Sequence, residues 1–310
     1  MGIERATTTL QWDPFHDVAE VLEYHFMLNA LAAGTVVAVV AGLAGWVMLV
    51  RREAFAGHTL SLMAFPGASG AALAGVPAAL GYYLACAVGA LAIAALTGRP
   101  GARSQGSQSA AIAAVQSVAL ACGFLFVSLY GGILEDLENL LFGTFLGVSD
   151  GHVLSLSLVC AGLLALLAAI ARPLLFASVE EDVARSRGVP VGALGAVFLL
   201  ALGLAVAAAA QVTGALLVFS LLVGPPAAAQ ALTARPLPSL ALTVGIGLAV
   251  VWLGLGISYF STLPPGFYIA VASFAAYVLA RAVASVRARG SRGRAAQRPG
   301  AAAPREGVIA

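Results

Sequence analysis

Arg51-Arg52-Glu53-Ala54-Phe55-Ala56-Gly57-His58-Thr59-Leu60-Ser61-Leu62-Met63-Ala64-Phe65-Pro66-Gly67-Ala68-Ser69-Gly70 is the stretch that decides the fold. It joins two apolar runs. A guanidinium costs about 3 kcal/mol at the centre of a bilayer, so the Arg pair ends the first run at a membrane face. Pro66 and Gly67, with Gly70, stand inside the second run. There a proline lets an apolar helix bend and a glycine lets a neighbouring helix approach closely. These three residues are therefore candidates for a gate or helix break. His58 lies between the Arg pair and the Pro-Gly pair and has two readings. It lines an ion's path, as titratable groups beside a helix break do, or it caps a helix end at the interface.

Composition generalises the reading. Of 310 residues, 61% are hydrophobic and only 10% charged, and the mean hydropathy is +0.97. A soluble domain carries far more charge. The apolar runs are too long for barrel strands, so the chain is an all-α, polytopic transmembrane helical bundle. All sixteen basic residues are Arg. Without a lysine there is no phosphate-binding loop of the Gly-Lys-Ser/Thr type, and ATP hydrolysis by that route is excluded. The polar, acidic first 25 residues do not read as a cleavable signal peptide. Cys86, Cys122 and Cys160 fall in separate spans and read as small apolar residues rather than a disulfide set or a metal cluster.

Outward from 51–70, the runs give about nine spans. Residues 26–50 precede the stretch, and 57–76 is the second span. The others cover 82–97, 110–130, 152–171, 191–210, 213–233, 238–257 and 267–284. Residues 1–25 have acids and histidines beside Val18, Val21 and Leu22 at helical spacing, an amphipathic surface segment. The short apolar piece 140–147 follows Glu135, Asp136 and Glu138. Eight residues cannot cross ~30 Å of hydrocarbon as a helix, so it reads as interfacial or re-entrant. Residues 176–190 are the most charged internal block. Its acids Glu180, Glu181 and Asp182 precede Arg185 and Arg187, the order a helix dipole prefers, and Gly188 and Pro190 end it. Pro225 and Pro226 break the seventh span, and Gln211 and Gln230 near its ends are suited to hydrogen bonds between helices. The Arg-rich tail 287–310 reads as disordered. Between these ends, 26–286 form one membrane domain.

The arginines fall on alternate loops. The positive-inside rule then puts the C-terminus in the cytoplasm and the N-terminus outside, which makes 176–190 cytoplasmic. No inverted repeat is visible, so a secondary transporter with symmetric halves is not supported.

Four blocks in this order resemble the integral-membrane permeases of metal-ion ABC importers, the zinc, manganese and iron type. They are Arg-Arg-x-x-Phe-x-Gly-His-Thr-Leu-Ser at 51–61 with Pro66-Gly67, Leu-Leu-Phe-Gly with Leu-Gly-Val-Ser at 140–149, Glu-Asp-Val-Ala-Arg-Ser-Arg-Gly-Val at 181–189, and Gly-Ala-Leu-Leu-Val with Ser-Leu-Leu-Val-Gly-Pro-Pro-Ala-Ala-Ala at 214–229. The resemblance covers residues 28–284. It implies a permease in the plasma membrane of a bacterium that moves a divalent metal, zinc or manganese, without holding any cofactor stably. It implies three protein partners in lipid: a second permease copy, giving a homodimer; a cytoplasmic ATPase docking on a coupling helix at 176–190; and an extracytoplasmic metal-binding protein. Catalysis of ATP hydrolysis would belong to the ATPase chain, and no nucleic acid is expected.

In the family a ligand pair often stands four residues apart on one helix face. His58 matches the first position, but the second is Leu62, which cannot bind a metal. Thr144 stands where an acid usually follows Phe-Gly. Asp136 matches an acid of some relatives and is the second candidate for the metal's path, at its outer mouth; the alternative is a solvated acidic loop. Two further functions compete. A permease for a siderophore, haem or cobalamin would be longer and would lack the 51–67 block. An intramembrane enzyme would need a paired His-Glu or Ser-His set, and the spans contain almost no ionisable groups.

Overall fold

The structure is a computed structural model that describes residues 23–97, 105–130, 143, 147–215, 217–261 and 263–296. Asp136, Thr144, most of the 140–149 block, nearly all of the N-terminal segment, Arg99, Arg103 and the last residues of the tail lie outside the described residues. Among the described residues ten helices follow one another: α1 (His25–Val50), α2 (Ala54–Ala74), α3 (Ala78–Thr97), α4 (Gln105–Tyr130), α5 (Asp150–Val179), α6 (Glu181–Ser186), α7 (Val191–Thr213), α8 (Val218–Leu232), α9 (Pro236–Tyr259) and α10 (Pro265–Ala296). Seven of them, α1, α3, α4, α5, α7, α9 and α10, are long and apolar enough to cross a membrane. The chain is a polytopic transmembrane bundle.

Helix α1 is the hub. It packs on α5 and α7 on one side and on α8 and α9 on the other, while α2, α3 and α4 form a second group held to the hub through α7. The reason is composition. Along α1 the buried positions are mostly Ala, Gly and Val, among them Ala30, Ala33, Gly34, Val37, Ala38, Ala41, Gly42, Ala44 and Gly45. Small residues let helices approach where lipid supplies no hydrophobic driving force. Polar side chains then fix the register. The Trp46 indole donates to Ser239 Oγ at 2.9 Å, and the Trp252 indole donates to Thr35 Oγ1 at 2.9 Å. Because Trp46 pairs with Ser239 and Thr35 with Trp252, α1 and α9 run antiparallel.

Helices α1 and α5 run parallel and are tied at both ends. At their starts, His25 Nε2 meets Asp150 Oδ1 at 2.9 Å and Asn29 Nδ2 donates to the same oxygen at 2.7 Å. At their ends, Arg51 Nη1 donates to Ser178 Oγ at 3.3 Å. Between α1 and α2 the turn is tight, and Arg52 adopts φ 59°, a left-handed conformation that a non-glycine residue takes at a cost.

Three elements differ from the sequence reading. Helix α5 does not end at Arg172-Pro173 but continues to Val179, because Leu174 and Ala177 are buried and hold the last turns against the bundle. The seventh apolar run is interrupted after Thr213, where Gly214 has φ 79°, and its next helix is Val218–Leu232. Those 15 residues extend about 22 Å at 1.5 Å per residue, short of ~30 Å of hydrocarbon. Helix α10 runs to Ala296, into the stretch read as disordered from 287; Ala and Arg are strong helix formers.

Candidate functional site

His58 sits one turn into α2, the helix that follows the Arg51-Arg52 turn. Its ring packs edge-on against Phe219 of α8, with centroids 4.8 Å apart and planes at 65°. Its Nδ1 is buried and has no hydrogen-bond partner among the described residues. Leaving a buried polar atom unsatisfied costs about 1–3 kcal/mol, and such an atom in a folded protein calls for an explanation. The interfacial-cap reading would give that nitrogen a backbone or solvent partner. The His58 carbonyl is engaged separately, accepting from Ser61 Oγ at 2.7 Å. Leu62, at the position four residues on, is half-buried.

The elements around His58 are tightly set. Thr59 Oγ1 donates to Gln116 Oε1 of α4 at 3.0 Å, and Leu60 is fully buried. The Cys86 thiol of α3 donates to the Leu60 carbonyl at 3.6 Å. Further along, α2 stays helical through Pro66, Gly67 and Gly70, so these residues do not interrupt it. Gly67 instead lets α2 lie on Gly81 of α3: a Cβ at either glycine would enter the other's backbone. Ser69 Oγ donates to the Phe65 carbonyl at 2.9 Å, beside the proline. Gly70 faces the Phe126 ring of α4.

On the other wall, α8 also stays helical through Pro225 and Pro226, both buried. Gly224, just before them, lies against Ser273 of α10, whose hydroxyl donates to the Ser220 carbonyl at 2.8 Å. Gln230 Nε2 donates to the Trp46 carbonyl of α1 at 3.3 Å, the interhelical role its position suggested. Gln211 Nε2 bonds the Ala207 carbonyl of its own helix at 3.1 Å. It also lines a surface pocket of about 270 Å³ with Tyr83, Leu80, Ser155 and Val159, which no sequence motif marked. A glutamine, a tyrosine and a serine on three different helices have no sequence spacing by which to find it.

The charged block folds as two pieces. Residues 176–179 complete α5, and Glu181–Ser186 form the six-residue α6. Glu181 and Asp182 stand in its first turn, and Arg185 pairs back to Glu181 one turn later. Ala184 is fully buried, while Glu180, Glu181, Asp182, Arg185 and Arg187 are exposed. Gly188 has φ 79° and ends the helix. So α6 is anchored by one alanine and presents a charged face. Beside it, Arg51 Nη2 and Nε reach Glu53 Oε1 at 2.8 and 3.1 Å. The other Glu53 oxygen, Oε2, is buried and unpartnered among the described residues.

Burial raises the Glu53 carboxyl above its ordinary value of 4.5, and the Arg51 guanidinium only partly offsets this. The folded state therefore binds the proton more tightly than the unfolded chain. The resulting stabilisation is complete below 4.5 and is lost as pH rises through the raised folded value. Glu53→Gln should flatten that pH dependence. Thermal unfolding in detergent across the acid range checks it: an unchanged pH slope in the variant would exclude Glu53 as its source.

Among the described residues no group of three or more His, Cys, Asp or Glu could hold a metal ion. Among the described residues His58 therefore belongs to no such group. Asp136 lies outside the described residues.

Comparison with known proteins agrees with this architecture. The ABC 3 transport family matches residues 23–284. The manganese transport system membrane protein MntC of Halalkalibacterium halodurans is 27% identical over 261 residues, covering 84% of this chain and 88% of that one. The "Probable metal transport system membrane protein" of Treponema pallidum is 30% identical over 274 residues, 87% of this chain and 100% of that one. A solved structure, PsaBC from Streptococcus pneumoniae in complex with Fab, superposes with a TM-score of 0.75 at 25% identity, over 86% of this chain and 94% of that one. With a family match that reaches from the start of α1 into α10, this chain belongs to the ABC 3 transport family as a membrane permease of metal or metal-chelate transport.

Proposed function

We propose that the chain imports a divalent metal ion, zinc or manganese, as one copy of a homodimeric permease. In this reading a soluble extracytoplasmic protein delivers the ion and a separate cytoplasmic ATPase supplies the energy. The observation that supports it best is His58: a buried imidazole nitrogen without a partner among the described residues, on α2 and facing the short helix α8. Imidazole suits zinc and also binds other first-row ions. One histidine from each of two copies would give a loose two-ligand site, adequate for passage and too weak for capture. Asp136 is proposed to attract the cation at the outer mouth. Pro66, Gly67, Gly70, Pro225 and Pro226 are proposed to shape the gate through the close helix contacts they permit rather than through a break.

The arginine distribution supports an orientation with the C-terminus and α6 in the cytoplasm and the N-terminus outside. On this reading Glu180, Glu181, Asp182, Arg185, Arg187 and Gly188 form the surface on which the ATPase docks.

The test is metal uptake and metal-stimulated ATP hydrolysis by the assembled complex in proteoliposomes, with Zn, Mn and Fe compared. His58→Ala should lower uptake at limiting metal about tenfold, the equivalent of ~1.4 kcal/mol of ion binding, while the complex still assembles. Unchanged uptake would remove His58 from the path. Stimulation by a siderophore, haem or cobalamin but by no free ion would replace the ion reading with the chelate one.

A further inference from the structure

We propose that Arg51 is the residue that couples the ATPase-facing helix α6 to the metal-path helix α2. The inference rests on the proposed function above and extends it to a residue and a mechanical link. Three elements that flank the two sites meet at this one guanidinium. Its Nη1 donates to Ser178 Oγ at 3.3 Å, in the last turn of α5, two residues before α6 is reached at its N-cap, Glu180. Its Cζ lies 5.3 Å from the ring centroid of Phe198 on α7, the helix that leaves α6 on the other side. Its Nε and Nη2 hold Glu53 Oε1, and Glu53 is the N-cap of α2, the helix that carries His58.

Arg51 is built into this position. Its side chain is only 12% exposed, against 48% for Arg185 of α6. Gly195 of α7 leaves room for Nη2: a Cβ there would stand 3.3 Å away. Phe198 itself is fully buried, so the aromatic face is a fixed wall. Lysine can place a cation over a ring, but it cannot also make the two-nitrogen grip on a carboxylate.

The geometry makes one lever. When a bound partner displaces α6, its two flanking helix ends move with it, since Ala184 anchors α6 between α5 and α7. Arg51 holds both of those ends and the start of α2 together. Displacement at α6 is therefore delivered to the first turn of α2, and His58 stands one turn further on. One Glu53 oxygen at this junction is buried without a partner among the described residues. Packed elements that have two discrete arrangements carry coupling in this way.

The test uses the full permease assembled with its ATPase and binding protein in proteoliposomes. Ser178→Ala removes the α5 link together with the bond from Ser178 Oγ to the Leu174 carbonyl inside α5, and Arg51→Lys keeps the charge but loses the fork. For both, metal transported per ATP hydrolysed is expected to fall about five- to tenfold, the range of ordinary coupling between sites. Complex yield, melting temperature and basal ATP hydrolysis are expected to stay at the wild-type level in Ser178→Ala. Wild-type transport per ATP in both variants would overturn the proposal. So would a lowered melting temperature or yield with coupling intact in the complexes that do assemble, which would make Arg51 a structural brace. If the wild-type complex itself shows no metal-stimulated ATP hydrolysis, the function proposed above fails first and the coupling role falls with it. The two failures are thus told apart by the wild-type control.

Discussion

Gly67→Val is expected to prevent the bundle from folding to a single packed state. Helices α2 and α3 cross where Gly67 and Gly81 face each other, each without a side chain, so that each backbone lies against the other. The Ala85 methyl would stand 2.7 Å from a Cβ at Gly67, so the obstacle is backbone plus a second side chain, and neither is a flexible tip. Overpacking a core costs about 1–3 kcal/mol, and more when backbone must move. Here α2 would have to leave α3 altogether, so a loss at or above about 3 kcal/mol is expected. Size-exclusion profile and thermal unfolding in detergent measure it. Gly162→Ala is the control: nothing lies within 4 Å of the added methyl, and alanine is the better helix former by about 1 kcal/mol. A Gly67→Val protein that elutes and melts like the parent would show that α2 and α3 do not touch in the folded bundle.

The second large effect is expected from the double reversal Glu181→Arg and Asp182→Arg. These acids occupy the first turn of α6 and are exposed, while Ala184 alone roots the helix in the bundle. The change leaves that root in place and inverts the charge of the presented face. It also sets two cations at a helix N-terminus and breaks the Glu181–Arg185 pair, which the helix dipole disfavours by a few tenths to about 1 kcal/mol. If α6 docks the ATPase as proposed, most of the effect falls on that contact. Like charges juxtaposed at an interface cost several kcal/mol, so affinity for the ATPase should drop by about two orders of magnitude or more. Co-purification of the ATPase with the tagged permease reads this directly. A complex that purifies intact with full coupling of ATP hydrolysis to transport would take the docking role away from this face.

Much of the fold was readable before the structure. Arg51-Arg52 ends α1 where the charge argument put it, and the acid-to-base order in 180–187 marked a short helix that folds as α6. Where reading failed, the failing residue was a local breaker overruled by burial. Arg172-Pro173 is a strong stop signal, yet α5 passes through it because Leu174 and Ala177 find a packed surface. Pro66, Pro225 and Pro226 signalled breaks, yet both helices continue, with Ser69 and Ser273 bonding nearby carbonyls. The break in the seventh run fell at Gly214 instead, a glycine whose positive φ no apolar pattern reveals.

The candidate site was legible only in part. His58 stood out because it is titratable in an apolar stretch. Its unpartnered nitrogen did not, since that depends on Phe219, 161 positions away by the numbering, closing against it. Arg51 read as a helix stop, and its grip on Ser178 and Phe198 has no counterpart in the local sequence.

The amino-acid sequence by itself determined that this chain lives in a bilayer, roughly where its helices run, which loop is charged, and which family it resembles. Those properties follow from transfer free energies and local backbone preferences, which act residue by residue. The tertiary structure alone decided which helices touch, that α1 is the hub, that α8 is too short to span, and that one arginine joins α2, α5 and α7. Those outcomes depend on small residues meeting across long sequence separations, and close packing is a property of pairs of surfaces rather than of any stretch of chain.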